Sequence, residues 1–348
     1  MYSKKTFYFE TNPPLNKTAG SQYWNALLEE PVNKLKYLFD HGKLTEDKKK
    51  FLFKHFVSII NIETSKFCNR KCNYCPVKFP IYERNLQKLI NADLWNKFLK
   101  NINEIDYDAV ISMSLYNEVT KDPFVYQRIK DIKINAPHCF LKFYSNGDFI
   151  NYKVINELAK AGLDSIYITL HAAHGKPYND DDRLNYIKKF FKRIKYNGVV
   201  DSIVPNVKIT SDFYFDNMRI LLMCNNWSVY GNDRAGLIND MSLTNSRIEP
   251  CLRPFREFTI AHTGQVFPCC QIFPDEPMHA KHQIGDLNID NIWDIYLSRS
   301  ISEWRASLFD YGVKTSPCNT CGDCSFASGS DSEFRLRLLN EFRYIHTD

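Results

Sequence analysis

Three cysteines within eight residues, Cys68, Cys72 and Cys75, constrain this chain more than any other feature. They lie between Phe67 and Pro76 at the spacing C-x3-C-x2-C. Cysteine thiolates are the usual protein ligands of iron–sulfur clusters, and three this close can hold three corners of a cubic cluster. The fourth iron then has no protein ligand and is open to a partner molecule. The structural alternatives are a zinc knuckle and an electron-transfer cluster. Zinc motifs favour paired C-x2-C units that bring four ligands, and only three are local here.

The other cysteines are Cys139, Cys224, Cys251, Cys269, Cys270, Cys318, Cys321 and Cys324, of which only Cys139 and Cys224 stand alone. A chain of 348 residues needs no disulfides for stability. Met1 to Lys5 run into Phe7 to Glu10 with no long apolar stretch, so no signal peptide is expected. No apolar run approaches a membrane span. The expected compartment is the reducing cytoplasm, where clustered cysteines read as metal ligands or catalytic thiols. The net charge of +5 creates no demand for nucleic acid, and no membrane partner is expected. The basic group Lys188, Lys189, Lys192, Arg193 and Lys195 interleaves with Leu184, Ile187, Phe190, Phe191 and Ile194. This is the solvated face of an amphipathic helix.

Along the chain, strand and helix patterns alternate. Strands are expected at Val57 to Glu63, Ala109 to Leu115, Phe140 to Tyr144, Ser165 to Leu170 and Ser202 to Ile209, with a short one at Trp227 to Tyr230. Helices are expected at Asn91 to Ile102, Pro123 to Ile134, Tyr152 to Ala161, around Phe190, and at Phe215 to Cys224. Such repetition implies a parallel sheet of α/β class, six units making a partial (β/α)6 barrel of TIM type. In these architectures ligands bind at the carboxyl ends of the strands. Cys68 to Cys75, Tyr116-Asn117-Glu118, Ser145-Asn146-Gly147, Thr169 with His171, and Asn232 to Gly236 all fall at those ends.

With these residues in place, the chain resembles the radical S-adenosylmethionine (radical SAM) enzymes. The resemblance runs from about Val57 to Cys324. It implies that Cys68, Cys72 and Cys75 hold a catalytic [4Fe-4S] cluster whose open iron chelates the amine and carboxylate of S-adenosylmethionine. Cleavage of that cofactor to a 5′-deoxyadenosyl radical and abstraction of a substrate hydrogen atom follow from the family's chemistry. Tyr74 stands where the family packs an aromatic residue near the adenine. Tyr116-Asn117-Glu118 stands in place of a Gly-Gly-Glu-like element that binds the methionine amine; only the glutamate matches. Asn117, Glu118, Ser145, Asn146 and Thr169 are therefore expected cofactor contacts. Arg234, in an N-x-R-A-G element, is expected to pair with the carboxylate through its planar fork. An external electron donor such as flavodoxin or ferredoxin is implied as a partner.

The C-terminal third resembles the SPASM or twitch auxiliary-cluster domain. Cys251 and Cys269 would be brought together by a hairpin of Phe258 to Ile260 with Gly264 to Phe267, and Cys318 and Cys321 would close a four-cysteine site for one auxiliary [4Fe-4S] cluster. Cys270 and Cys324 are alternative ligands, spares or reactive thiols. A zinc ribbon is the other reading of four thiolates. The expected organisation is an N-terminal, partly helical extension at 1–56, a barrel at 57–240, a small cysteine-rich α+β auxiliary domain at 250–330 and a C-terminal helix at 331–348.

The resemblance implies a peptide or small-molecule substrate. An auxiliary cluster saturated by four cysteines accepts or relays electrons. That favours a net oxidation, with ribosomal peptide or protein side-chain modification as the first expectation. A carbohydrate or aminocyclitol dehydrogenase or epimerase is the alternative, and a non-catalytic zinc protein the alternative of another class. Epimerisation needs a hydrogen donor, for which Cys139, Cys224, Cys270 and Cys324 are the thiol candidates. Asp180, Asp181 and Asp182 read as a helix N-terminus before they read as a site for a cationic substrate.

Overall fold

The computed structural model describes residues 15–17, 20–40, 42–78, 88–172 and 176–322. Cys324 and the expected helix at 331–348 lie outside the described residues. Ten strands form the main sheet: β1 (Ile59–Ile62), β2 (Val110–Ser112), β3 (Phe140–Ser145), β4 (Ser165–Thr169), β5 (Ser202–Val204), β6 (Lys208–Phe215), β7 (Met218–Asn225), β8 (Glu257–Ile260), β9 (Gln265–Phe267) and β10 (Gly285–Asp286). Their spatial order is β10-β9-β8-β1-β2-β3-β4-β7-β6-β5. The central six, β8-β1-β2-β3-β4-β7, are all parallel. This is the six-stranded open α/β sheet that the alternation implies. The sixth strand in chain order comes from Glu257–Ile260, inside the segment expected to form the auxiliary domain, and it pairs with β1 from Ile59↔Glu257 to Ile62↔Ile260.

The helices are α1 (Gly20–Glu29), α2 (Glu46–Phe56), α3 (Ala92–Glu104), α4 (Val125–Asn135), α5 (Tyr152–Ala161), α6 (Asp180–Arg193), α7 (Trp227–Tyr230), α8 (Arg253–Arg256) and α9 (Arg299–Phe309), beside several single turns. Local chemistry starts and stops them. Asn91 caps α3 by accepting from the Leu94 amide at 2.8 Å, and Leu94, Trp95, Phe98, Leu99 and Ile102 form its buried face. Asn151 caps α5, which ends at Gly162 in the left-handed conformation (φ +96°). Asn179 caps α6. Asp180, Asp181 and Asp182 occupy its first turn and Lys192 and Arg193 its last, the charge order that a helix dipole favours. Its buried side chains are Ile187, Phe190 and Phe191, and Lys188, Lys189, Lys192 and Lys195 are exposed as the spacing implies, whereas Arg193 turns inward and donates to the Gly147 carbonyl at 2.7 Å.

Between β4 and β8 the structure departs from the sequence pattern. The expected helix at Phe215 to Cys224 is strand β7, and the expected strand at Trp227 to Tyr230 is helix α7. Along β7, buried and half-buried residues alternate strictly, the period of a strand. Apolar residues on both faces hide that period in the sequence. The expected fifth strand at Ser202 to Ile209 is broken by a turn at Pro205-Asn206, where Asn206 has φ +59°. Its second half begins β6. A tight loop with Asp216 at φ +49° then returns the chain as β7, antiparallel to β6 in the register Phe215↔Met218. Asn226 caps α7 by accepting from the Ser228 amide at 3.1 Å.

The N-terminal segment packs against the amino ends of β1 and β8. Tyr23 donates to the Phe56 carbonyl at 2.9 Å, and Trp24 meets the rings of Phe255 and Phe309 at 5.9 and 5.7 Å. The buried Glu30 carboxylate is held by Lys34 and His55, each at 2.7 Å. Burying each of these aromatic side chains stabilises the fold by about 1.5–3 kcal/mol. Among the described residues no helix is long and apolar enough to cross a membrane.

Gly147 follows β3 with φ +76°, and a Cβ there would lie 2.9 Å from both Ile168 Cγ2 and Leu170 Cδ2. Gly147→Ala therefore combines backbone strain with overpacking, at a combined cost of about 2–3 kcal/mol. Thermal denaturation monitored by circular dichroism is expected to show a melting point lowered by several degrees, while an unchanged melting point contradicts the strain.

Candidate active site

The loop after β1 carries Cys68, Cys72 and Cys75 onto the carboxyl rim of the sheet. All three line one cavity of about 520 Å³. Tyr74, Asn117, Glu118, Ser145, Asn146, Thr169 and Arg234 line the same cavity, so every described cofactor residue expected from the sequence is brought to one place. The three thiols also sense one another electrostatically. Burial pushes Cys68 up to about 12, with Cys75 and Cys72 adding to the shift. Among the described residues, no three His, Cys, Asp or Glu side chains sit close enough to hold a single metal ion. The thiols are thus gathered by loop and cavity rather than drawn to one point. A three-thiol wall facing an open cavity suits a cluster with one vacant corner.

Arg70, between the first two cysteines, anchors the loop. It forms a two-pronged ion pair with Asp148, and Asn69 donates to the same carboxylate at 2.7 Å. Asn146 Nδ2 donates to Asn69 Oδ1 at 2.8 Å, linking the cysteine loop to the end of β3. Tyr74 hydrogen-bonds His171 Nδ1 and stacks on Trp227 with ring centroids 4.7 Å apart. Enclosure by protein pushes His171 down to about 3, so its imidazole is neutral. His171 and Trp227 thus form the support of Tyr74. Trp227 has no signal of its own in the sequence because its segment reads as a strand.

Glu118 is buried, and its carboxylate is already engaged. Oε1 accepts from the Thr120 hydroxyl, the Thr120 amide at 3.2 Å and the Ser145 hydroxyl at 2.8 Å; Oε2 accepts from the Asn146 amide at 2.8 Å. Burial raises its pKa, and these hydrogen bonds oppose the rise. Its most visible work is to fasten the end of β2 to the end of β3. Glu63, which the sequence reading passed over, does the same for β1. It accepts from the Tyr116 amide at 3.2 Å and pairs with His262 Nδ1 at 3.0 Å. A carboxylate at a strand end was the available signal.

A second thiol group lies behind the first. Cys251, Cys269, Cys318 and Cys321 line one small apolar pocket. Arg247 and Arg253 line it too, and among the described residues no carboxylate does. An iron–sulfur cluster with four thiolate ligands is anionic, so this donor set and its cationic walls fit one. The buried Arg247 is locked by donating to the Cys321, Glu249 and Pro250 carbonyls at 3.3, 3.1 and 2.8 Å. The hairpin β8–β9 brings Cys251 and Cys269 to this pocket as expected.

A seam joins the two sites. Tyr116 donates to the Cys270 and Gln271 carbonyls at 3.1 and 3.0 Å, and Arg234 Nη1 donates to Gln271 Oε1 at 3.1 Å. Arg234, Ala235 and Gly236 are consecutive left-handed residues (φ +49°, +52° and +87°). The fully buried Asp233 holds this turn, accepting from the Gly236 amide at 3.0 Å and the Thr320 hydroxyl at 2.6 Å. Thr320 lies between Cys318 and Cys321, so one carboxylate ties the arginine loop to the second thiol pair.

The remaining thiols separate. Cys139 and Cys224 are buried in the core, and burial pushes both up to about 12. Cys270 lines the large cavity, where Arg253 Nη1 approaches its sulfur at 3.0 Å.

Comparison with known proteins bears on this arrangement. The family model described as the radical SAM superfamily matches residues 62–215, and the one described as an iron–sulfur cluster-binding domain, SPASM, matches residues 251–325. The chain is 22% identical over 284 residues to the S-adenosyl-L-methionine-dependent 2-deoxy-scyllo-inosamine dehydrogenase of Niallia circulans, covering 80% of this chain and 98% of that protein. The crystal structure of BtrN in complex with AdoMet and 2-DOIA superposes with a TM-score of 0.55 at 16% identity, covering 77% of this chain and 93% of that one. SuiB of Streptococcus suis bound to S-adenosylmethionine gives a TM-score of 0.45 at 13% identity over 79% of this chain and 72% of that one. The chain belongs to the radical SAM superfamily and is a radical SAM enzyme with a C-terminal SPASM iron–sulfur cluster-binding domain.

Proposed function

We propose that this enzyme is a radical SAM dehydrogenase that oxidises an alcohol carbon of a small polyhydroxylated molecule. The observation that carries the reading is the pairing of two thiol groups, one facing a cavity lined by polar strand-end residues and the other lining a small separate pocket. The match over 98% of a small-molecule dehydrogenase supports this substrate class over peptide or protein side chains, the first expectation. The cavity volume of about 520 Å³ is in the range of small-molecule sites. In this reading residues 57–240 with β8 form the radical-generating barrel, 250–330 hold one auxiliary cluster, and the described residues of the N-terminal extension close the barrel's amino end. The protein works in the cytoplasm, fed by an external electron donor such as flavodoxin or ferredoxin.

Cys68, Cys72 and Cys75 would hold the catalytic [4Fe-4S] cluster, and Cys251, Cys269, Cys318 and Cys321 the auxiliary one. When bound, the catalytic cluster and S-adenosylmethionine supply reductive cleavage to a 5′-deoxyadenosyl radical. The chain's own residues do the positioning. Tyr74, held by His171 and Trp227, offers a flat face for the adenine. Ser145, Asn146 and Thr169 offer hydroxyl and amide groups to the ribose and methionine portions. Glu118 fixes the loops from which Asn117, Ser145 and Asn146 project, and Arg234 is aimed by Gln271. The protein seam of Tyr116, Gln271 and Asp233 fixes the spacing of the two thiol sites. Oxidation of an alcohol carbon removes two hydrogens. One would leave as a hydrogen atom to the radical derived from S-adenosylmethionine and the other as a proton, and the remaining electron would pass to the auxiliary cluster that Cys251, Cys269, Cys318 and Cys321 would hold.

Epimerisation at the same carbon is a second reading, favoured by the place of Cys270 in the cavity wall. A thiol there can return a hydrogen atom to the substrate. The two outcomes separate in deuterium oxide. Dehydrogenation yields a product two hydrogens lighter with no solvent deuterium at the reacting carbon, and Cys270→Ser leaves that product unchanged. Solvent deuterium at that carbon, lost in Cys270→Ser, selects epimerisation.

Two further outcomes test the assignment, each measured by liquid chromatography of anaerobic reactions of reconstituted protein with S-adenosylmethionine and dithionite. Replacing Cys68, Cys72 and Cys75 together by Ala is expected to abolish 5′-deoxyadenosine; undiminished cleavage removes the catalytic assignment. Replacing Cys251 and Cys269 by Ala is expected to leave cofactor cleavage detectable but lower product at least tenfold. Product formation at the wild-type rate contradicts a role for the second site.

A further inference from the structure

The floor of the active-site cavity carries more positive charge than the protein balances. Two cations from α8, Arg253 and Arg256, line it, and a third, Lys142 of β3, stands next to the lining residue Tyr144, whose hydroxyl Lys142 Nζ approaches at 3.4 Å. The carboxylate beside them is Glu257, and Arg253 Nη1 engages its Oε1. Its Oε2 is buried and makes no hydrogen bond.

Lys142 and Arg256 make no ion pair among the described residues. Lys142 instead sits over the rings of Tyr167 and Tyr144 at 4.7 and 5.3 Å. Arg256 Nε donates to the neutral Ser58 hydroxyl at 2.9 Å, and its guanidinium lies 5.5 Å from the Tyr23 ring. Lys142 and Arg256 are half-buried, and partly desolvated cations without a counter-charge are costly, so a site built this way gains when a ligand supplies the charge. Burial lowers the Lys142 pKa, and the Arg256 charge lowers it further; Tyr167, Glu257 and Cys270 oppose the shift. An anion bound beside Lys142 would favour its charged form and oppose that shift.

We propose that Lys142 and Arg256 form a subsite for an anionic substituent, phosphate or carboxylate, on the substrate. The proposal rests on the reading of this cavity as a small-molecule site and deepens it. The substrate class becomes an anionic polyol, oxidised at a carbon held toward the cofactor end while its charged group lies on the floor. Arg253, already committed to Glu257, contributes field rather than a free fork.

The test is calorimetric titration of cluster-loaded protein in the presence of S-adenosylmethionine. The probes are myo-inositol and myo-inositol 1-phosphate, with glucose and glucuronate as the carboxylate arm. At least one anionic probe is expected to bind tenfold or more tightly than its neutral parent, the advantage shrinking as salt rises. Lys142→Met and Arg256→Met are each expected to erase most of that advantage, while Lys142→Arg and Arg256→Lys retain it. Equal binding of charged and neutral probes in both arms overturns the proposal, as does an advantage that survives in both methionine variants. If Arg256→Met melts early because its contact with Tyr23 is lost, the Lys142 variants decide alone. The titration needs no turnover, so its failure is distinct from the failure of cofactor cleavage that would sink the functional reading.

Discussion

The parallel register of β8-β1-β2-β3-β4-β7 is the constraint on which the rest of this structure depends. Because all six strands run the same way, their carboxyl ends share one rim, and the loops leaving them converge. The cysteine loop, Glu118, Ser145, Thr169 and the Arg234 turn come from five different segments and still face one cavity. Buried carboxylates then fix the convergence. Glu63, Glu118 and Asp233 each bind groups from separate loops, and each is enclosed enough that losing its partners would strand a desolvated charge.

The placement of β8 has a consequence for the relation between the two thiol sites. This strand belongs to the central sheet through β1, while its hairpin partner β9 leads directly to Cys269 and Cys270. Barrel and auxiliary region are therefore one continuous sheet rather than two bodies on a linker. Cys269 faces the rear pocket and Cys270 the front cavity, so adjacent residues serve opposite sides of the seam. The two cysteines part at a turn after β9, where the Ile272 amide donates to the Cys269 carbonyl at 3.4 Å. The turn leaves Cys270 out of the four-thiol pocket.

Much of this was legible in the chain. The C-x3-C-x2-C spacing, the polar residues after each strand and the C-x2-C pair near the end pointed to segments that line the two pockets, because iron–sulfur chemistry demands particular residue types at particular spacings. The helices with one apolar stripe and an asparagine cap were readable for the same reason. What was not legible lay where both faces of an element are apolar. The β6–β7 hairpin hid its period of two, which displaced the following segment and concealed Trp227 as the partner of Tyr74. Contacts between distant segments were also out of reach. Nothing local marks Asp233 as the link to Thr320, or Arg253 and Arg256 as cavity residues beside Lys142.

The account turns on an iron at the Cys68–Cys72–Cys75 loop that keeps one coordination position for S-adenosylmethionine. The most direct measurement is electron paramagnetic resonance of the dithionite-reduced, cluster-loaded protein before and after that cofactor is added, using the Cys251→Ala/Cys269→Ala variant to silence the second site. The account predicts a reduced [4Fe-4S] signal whose g-values shift on addition. A signal that the cofactor leaves unchanged, or a protein that binds zinc and gives none, would contradict it.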